Sequence, residues 1–210
     1  GAGDVAAMAD RDASVLATSN LRRAAQTVAL GLRTRLETRG DEKVHCLSAL
    51  QEISTNIDTL SITPPHKPPV LPNVPSHLAA ADRFDVSGNS GNKLLRGNGL
   101  QRMQAFAEWA FKRPEETIVV GGHSLFFRSF FREFLPCGAN PGDARDSKIA
   151  NGGVVAFTLD RGTVGGENGE PSQIQYRVDP GSVVEVHLGF DTPAKKKAAK
   201  AAKKAAKKTN

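Results

Sequence analysis

The stretch VLATSNLRRAAQTVALGLRTRLETRG, residues 15–40, changes its period partway through. Val15–Thr18 is a short apolar run of the length that ends a buried strand. Ser19 and Asn20 then suit a helix start, because their side-chain oxygens accept from the free N–H groups of a first turn. From there Leu21, Ala25, Val28, Leu32 and Leu36 recur at intervals of three and four, one face of an amphipathic helix that Gly40 closes. A strand that runs straight into a helix is the repeating unit of layered α/β domains.

The rest of the chain continues that alternation. Val44–Leu47 reads as the next strand. Leu100, Met103, Phe106, Ala107 and Ala110 mark a second helix, stopped by Pro114. Thr117–Val120 is a buried strand that passes through Gly121–Gly122 into a helix bearing Phe127, Phe130, Phe131 and Phe134. Val154–Leu159, Ile174–Val178 and Val183–His187 read as three later strands. Residues 61–97 interrupt the pattern with six prolines from Pro64 to Pro75 and a Gly/Asn-rich run from Gly88 to Gly99. So long an irregular insertion reads as a lid, a substrate loop or disorder. The expectation is an α/β domain over residues 1–190 with a mostly parallel sheet.

Composition narrows the functional classes. Hydrophobic residues are 39% and charged residues 24%, as in a soluble globular chain, and no apolar run approaches the ~20 residues of a membrane helix. Cys46 and Cys137 form neither a disulfide framework nor a metal pattern. No basic stretch precedes an apolar one at the start, so no signal peptide is read, and an intracellular, cytoplasmic setting is expected. The 28 basic and 22 acidic side chains give +6, but residues 191–210 hold eight lysines and one aspartate, which leaves 20 basic against 21 acidic on residues 1–190. The basic character belongs to the tail. With nothing large and apolar to bury, the tail is expected to be disordered. It reads either as a flexible solubilising extension or as an electrostatic arm for nucleic acid, anionic surfaces or nuclear import.

Ligands of such sheets gather at the C-terminal ends of the strands. After the first strand, Arg22 and Arg23 stand in the first turn of a helix, where guanidinium groups and free N–H groups together favour a phosphoryl group. After the second, Glu52 is a candidate general acid, or else a salt-bridge or capping residue. After the third, His123 follows two glycines that let backbone approach a ligand, and Ser124 comes next. Arg23, Glu52 and His123 supply a cationic clamp, a proton donor and an imidazole, a phosphoryl-transfer set with no metal pattern and no cofactor motif around it. Protonated, the imidazole would join the arginine in neutralising a phosphate dianion.

The ordered motifs SNLRRAAQT, LQEIS and VVGGHS resemble the histidine phosphatase superfamily, also called phosphoglycerate mutase-like, over roughly residues 13–160. That resemblance implies a three-layer α/β/α sandwich and phosphomonoester hydrolysis through a phosphohistidine, or mutase chemistry. It makes Arg23 a phosphate-binding arginine, His123 the second active-site histidine, Glu52 the proton donor and Asn151 a pocket-lining residue. Its substrates would be phosphorylated small molecules or phosphoproteins. The family's nucleophile lies in an Arg-His-Gly motif on a central first strand. None of His45, His66, His77, His123 and His187 follows an arginine. The motif is therefore expected upstream of Gly1, in a chain cut short at its N-terminus, lacking that first strand and inactive as it stands.

Two other readings stay open. Gly122-His123-Ser124-Leu125-Phe126 approximates the nucleophile elbow of an α/β-hydrolase, with Ser124 as nucleophile and Asp160 or Asp179 and His187 completing a triad. A non-catalytic protein that binds phosphorylated ligands, or acts through its tail, is the other.

Overall fold

The computed structural model describes residues 12, 14–139, 142–165, 172–195 and 197–198. Its centre is a parallel four-stranded sheet in the order β3-β2-β1-β4, made of β1 (Ser14–Ser19), β2 (Val44–Leu47), β3 (Phe84–Asp85) and β4 (Thr117–Gly121). β1 is wholly buried and bonded on both edges, Leu16 facing Val44 on one side and Val119 on the other. The sheet is thus continuous from β2 through β1 to β4, with no further strand between them.

Side-chain alternation along these strands separates two cores, as period-two strands covered on both faces require. Leu16, Val44 and Val119 point to one face. There they meet Ala25 and Val28 of α1 (Arg22–Gly31), Leu36 of α2 (Arg33–Thr38) and Leu78 of α3 (Ser76–Ala79). Ala17, Leu47, Ile118 and Val120 point to the other, where α4 (Gly99–Phe111) brings Met103 and Phe106 and α5 (Ser124–Phe134) brings Phe126, Phe130, Phe131 and Phe134. Three layers result, helices on both faces of a parallel sheet.

Phe126, Phe130 and Phe131 are fully buried. Their rings interlock with Phe106 and Phe157 at centroid distances of 5.0 to 6.2 Å, within the range of favourable aromatic pairs. This aromatic layer fixes α5, and with it the turn that precedes it.

Three sequence expectations need correction. The insertion at residues 61–97 is not irregular throughout: it builds α3, a 3₁₀ turn at Ala81–Arg83 and the edge strand β3, which pairs with β2 through Val44↔Phe84 and His45↔Asp85. The apolar run Val154–Leu159 is not one strand. It divides into β6 (Val154–Ala156), antiparallel to β9 (Val184–His187), and the start of β7 (Leu159–Val164), antiparallel to β8 (Gln173–Val178). These pairs lie outside the parallel sheet. Finally, the boundary set at residue 191 cuts through β10 (Phe190–Asp191), which pairs with β5 (Lys148–Ile149). Thr192 is buried, and Lys195 bonds Glu185 at 2.6 Å. The rest of the Lys/Ala tail, Lys197 and Ala198 apart, lies outside the described residues, as does any statement about its disorder. Among the described residues, no helix is long and apolar enough to cross a membrane.

Candidate phosphoryl site

β1 and β4 end side by side, so the turns that follow them share one end of the sheet. After β1, Leu21 opens α1 in an extended conformation with no side-chain cap and no acid in the first turn. The first-turn N–H groups and the two guanidinium groups therefore give this helix end a positive character. A shallow cleft of about 260 Å³ is lined here by Arg22, Arg23, Gln26, Asp58, Ser61 and Ile62. Arg23 is exposed and its Nη1 donates to the Asp58 carbonyl at 3.0 Å. Arg22 is half-buried, and its Nε is buried with no partner among the described residues. Both arginines reach the cleft.

After β4, the two glycines permit contacts that no other residue allows. A Cβ on Gly121 would stand 2.1 Å from Val28 Cγ2, so α1 lies directly against β4. A Cβ on Gly122 would stand 2.7 Å from the Phe127 ring. His123 then occupies the N-cap of α5, its carbonyl accepting from Phe127 N–H at 3.1 Å. The side chain is only 6% exposed, and its Nε2 is buried without a hydrogen-bond partner among the described residues. Burial, and then the positive charges of Arg23, Lys93 and Arg102, push its pKa down to about 3. The imidazole is neutral near neutral pH. Without a ligand it does not carry the positive charge that the sequence reading gave it beside a phosphate.

Glu52 is buried beside this turn. Its Oε1 accepts from Phe126 N–H at 2.8 Å and from Ile53 N–H at 3.0 Å, while Oε2 accepts from Leu125 N–H at 3.4 Å. The carboxylate thus sits on the first turn of α5, where the helix dipole favours it, immediately after His123. These contacts are those of a capping residue, one of the roles the sequence left open for Glu52.

Two cations that the sequence reading did not place in the site hold the Glu52 loop. Arg102 of α4 donates from Nη1 to the carbonyls of Gln51 at 2.6 Å and Ala49 at 3.2 Å. Lys93, from the Gly/Asn-rich part of the insertion, is only 8% exposed and bonds into the same loop. Asn20, read only as a local helix-start residue, is fully buried. Its amide donates to Asn89 Oδ1 at 2.8 Å, Ser48 Oγ at 3.0 Å and Gly91 O at 3.0 Å, and accepts from Gln51 at 2.6 Å. This network ties the insertion to the turns after β1 and β2.

Two of the candidates make no hydrogen bond to these groups among the described residues. Asn151 is exposed in the turn before β6 and makes no hydrogen bond to His123, Arg23 or Glu52. Ser124 opens α5, but among the described residues no hydrogen bond joins it to a histidine, and His187 stands exposed on β9. The Asp179 carboxylate is engaged with Gly181 N–H at 2.9 Å. The hydrolase triad is not assembled. A second cleft of about 360 Å³, lined by Glu108, Lys112, Arg161 and Tyr176, lies against α4 and β7–β8 and holds charges of both signs. Among the described residues no group of three His, Cys, Asp or Glu side chains is placed to hold a metal ion.

A family model described as the histidine phosphatase superfamily, branch 1, matches residues 5–166. No curated protein and no solved structure matches the chain.

Proposed function

The chain belongs to the histidine phosphatase superfamily, and from that premise we propose that the turns after β1 and β4 bind the phosphoryl group of a phosphate monoester. Hydrolysis of the monoester is the reaction class, and phosphorylated small molecules or phosphoproteins are the substrates. The observation that carries the reading is His123: a buried, neutral imidazole, under the field of Arg23, whose Nε2 has no partner among the described residues. A buried polar atom left unsatisfied costs stability unless a ligand completes it.

Each group has a part. The Arg23 guanidinium offers two parallel N–H donors to two phosphoryl oxygens, and Arg22, in the same cleft, adds a second cation. Burial first, and then the field of three cations, holds the ring neutral; a dianion beside His123 offsets that field and favours the charged ring, so the imidazole takes up a proton as the ligand arrives and donates it in a hydrogen bond. Glu52 keeps α5 in register for that contact. A nucleophilic histidine following an arginine is not among these 210 residues. The chain on its own therefore binds the ester without turning it over.

Calorimetric titration with inorganic phosphate tests the site. Saturable binding that Arg23→Ala weakens is expected, and no binding at all would refute the reading. Sustained hydrolysis of an aryl phosphate by the 210-residue chain would overturn the statement about the nucleophile.

A further inference from the structure

The insertion at residues 61–97 has the composition of a mobile loop, yet its returning limb is threaded through the interior. Asn89 is fully buried, and the Gly91 carbonyl accepts from Asn20, Ser48 and Gln51 at 3.0, 2.8 and 2.9 Å. Asn92 and Ser61 exchange hydrogen bonds across the two limbs. Lys93 follows directly, its backbone N–H donating to Gln51 Oε1 at 2.8 Å.

The Lys93 side chain does not reach toward a ligand. Its Nζ donates to the Glu52 carbonyl, to the Ser54 carbonyl at 2.6 Å and to Thr59 Oγ1 at 2.9 Å. Three acceptors use all three donors of an ammonium group. Arg102 holds the carbonyls of Ala49 and Gln51 in the same segment. Two cations thereby fix four carbonyls of the Ala49–Ser54 loop. The only carboxylate of that loop, Glu52, is set on the first-turn amides of α5 beside His123.

We propose that Lys93 is a positioning residue of the phosphoryl site: its ammonium clamps the carbonyls of Glu52 and Ser54, and so holds the Glu52 carboxylate on the first turn of α5 and the imidazole of His123 in place. The insertion is then a brace that the site needs before any ligand arrives. This inference rests on the phosphoryl site described above.

The test uses the 210-residue chain carrying Lys93→Met, Glu52→Ala or both. Two quantities are read, the exchange rate of the Phe126 amide and the affinity for inorganic phosphate. Lys93→Met should speed Phe126 exchange about tenfold while the amides of Leu16 and Val119 keep their wild-type rates, the mark of local rather than global opening. It should weaken phosphate binding about tenfold, and in the double variant the loss should equal that of Glu52→Ala alone, since the two residues act as one unit. Additive losses, or exchange that rises equally at all three amides, would overturn the proposal.

If Lys93→Met does not fold, Thr59→Val removes one of the three acceptors and should still speed Phe126 exchange. An unchanged rate there would overturn the proposal equally. A wild-type chain that binds no phosphate would refute the phosphoryl site itself, while Phe126 exchange would still decide whether Lys93 holds the Glu52 loop.

Discussion

Replacing His123 by asparagine should flatten part of the acid instability of this fold. The ordinary histidine pKa of 6.5 falls to about 3 in the folded chain, because the ring is buried and faces Arg23, Lys93 and Arg102. Between those two values the unfolded chain binds a proton that the folded chain refuses. Stability contributed by the neutral ring is therefore complete above about pH 6.5 and is lost as pH falls toward 3. The limiting slope is about 1.4 kcal/mol per pH unit, and from pH 6 to pH 5 the loss works out at about 1.2 kcal/mol. His45 titrates in the same sense, since burial lowers its pKa, with Asp85 opposing. Carboxylates add their own slopes at lower pH. The variant retains all of these, so the difference between the two proteins isolates His123. Urea unfolding at pH 6 and pH 5 measures it. The wild type should lose about 1 kcal/mol more than His123→Asn over that unit. Parallel losses would mean that the imidazole titrates as an exposed one does, and the neutral, buried ring would be refuted.

Three further outcomes follow from the packing and the charges. Arg23→Ala should weaken inorganic phosphate about tenfold or more, Arg22→Ala less, and Arg23→Lys should not restore the loss, because a point charge cannot reproduce the guanidinium fork. Arg23 is the exposed one of the pair and the one whose charge acts on His123, while Arg22 is half-buried; calorimetry reads the difference. Phe131→Ala should cost about 3–5 kcal/mol in urea unfolding, as the ring is fully buried against Phe157 and Phe190. Gly121→Ala should cost about 1–3 kcal/mol through the clash with Val28 Cγ2, and Val28→Ala in the same chain should recover part of it.

Local signals were the legible ones. The switch from an apolar run to a three-four period at Ser19–Leu21 marks β1 and α1 to within a few residues, and the glycine pair before His123 marks the β4–α5 turn. The phenylalanine spacing of α5 reads directly as its buried face. What stayed hidden depends on partners far along the chain. β3 is two residues between the proline-rich and the Gly/Asn-rich parts of the insertion and is a strand only because Val44 and His45 present a free edge to it. Asn20 looks like a capping residue, but its amide partner Asn89 is 69 residues away. Glu52 looks like a free acid until Phe126 N–H, 74 residues on, is brought to it. Arg102 gave only the weak signal of a cation beside the apolar stripe of α4, and the carbonyls it holds belong to a different segment. The break of Val154–Leu159 into β6 and β7 is likewise set by β9 and β8, not by the apolar run itself.

The most direct measurement is the nitrogen-15 spectrum of the histidine side chains during titration with inorganic phosphate at neutral pH. His123 Nε2 should begin as part of a neutral ring and move toward the protonated shift as phosphate saturates. Arg23→Ala should push that transition to higher phosphate, and the other four histidines should stay where they are. Phosphate that binds while the His123 resonances remain fixed would contradict a phosphoryl site at the turn between β4 and α5.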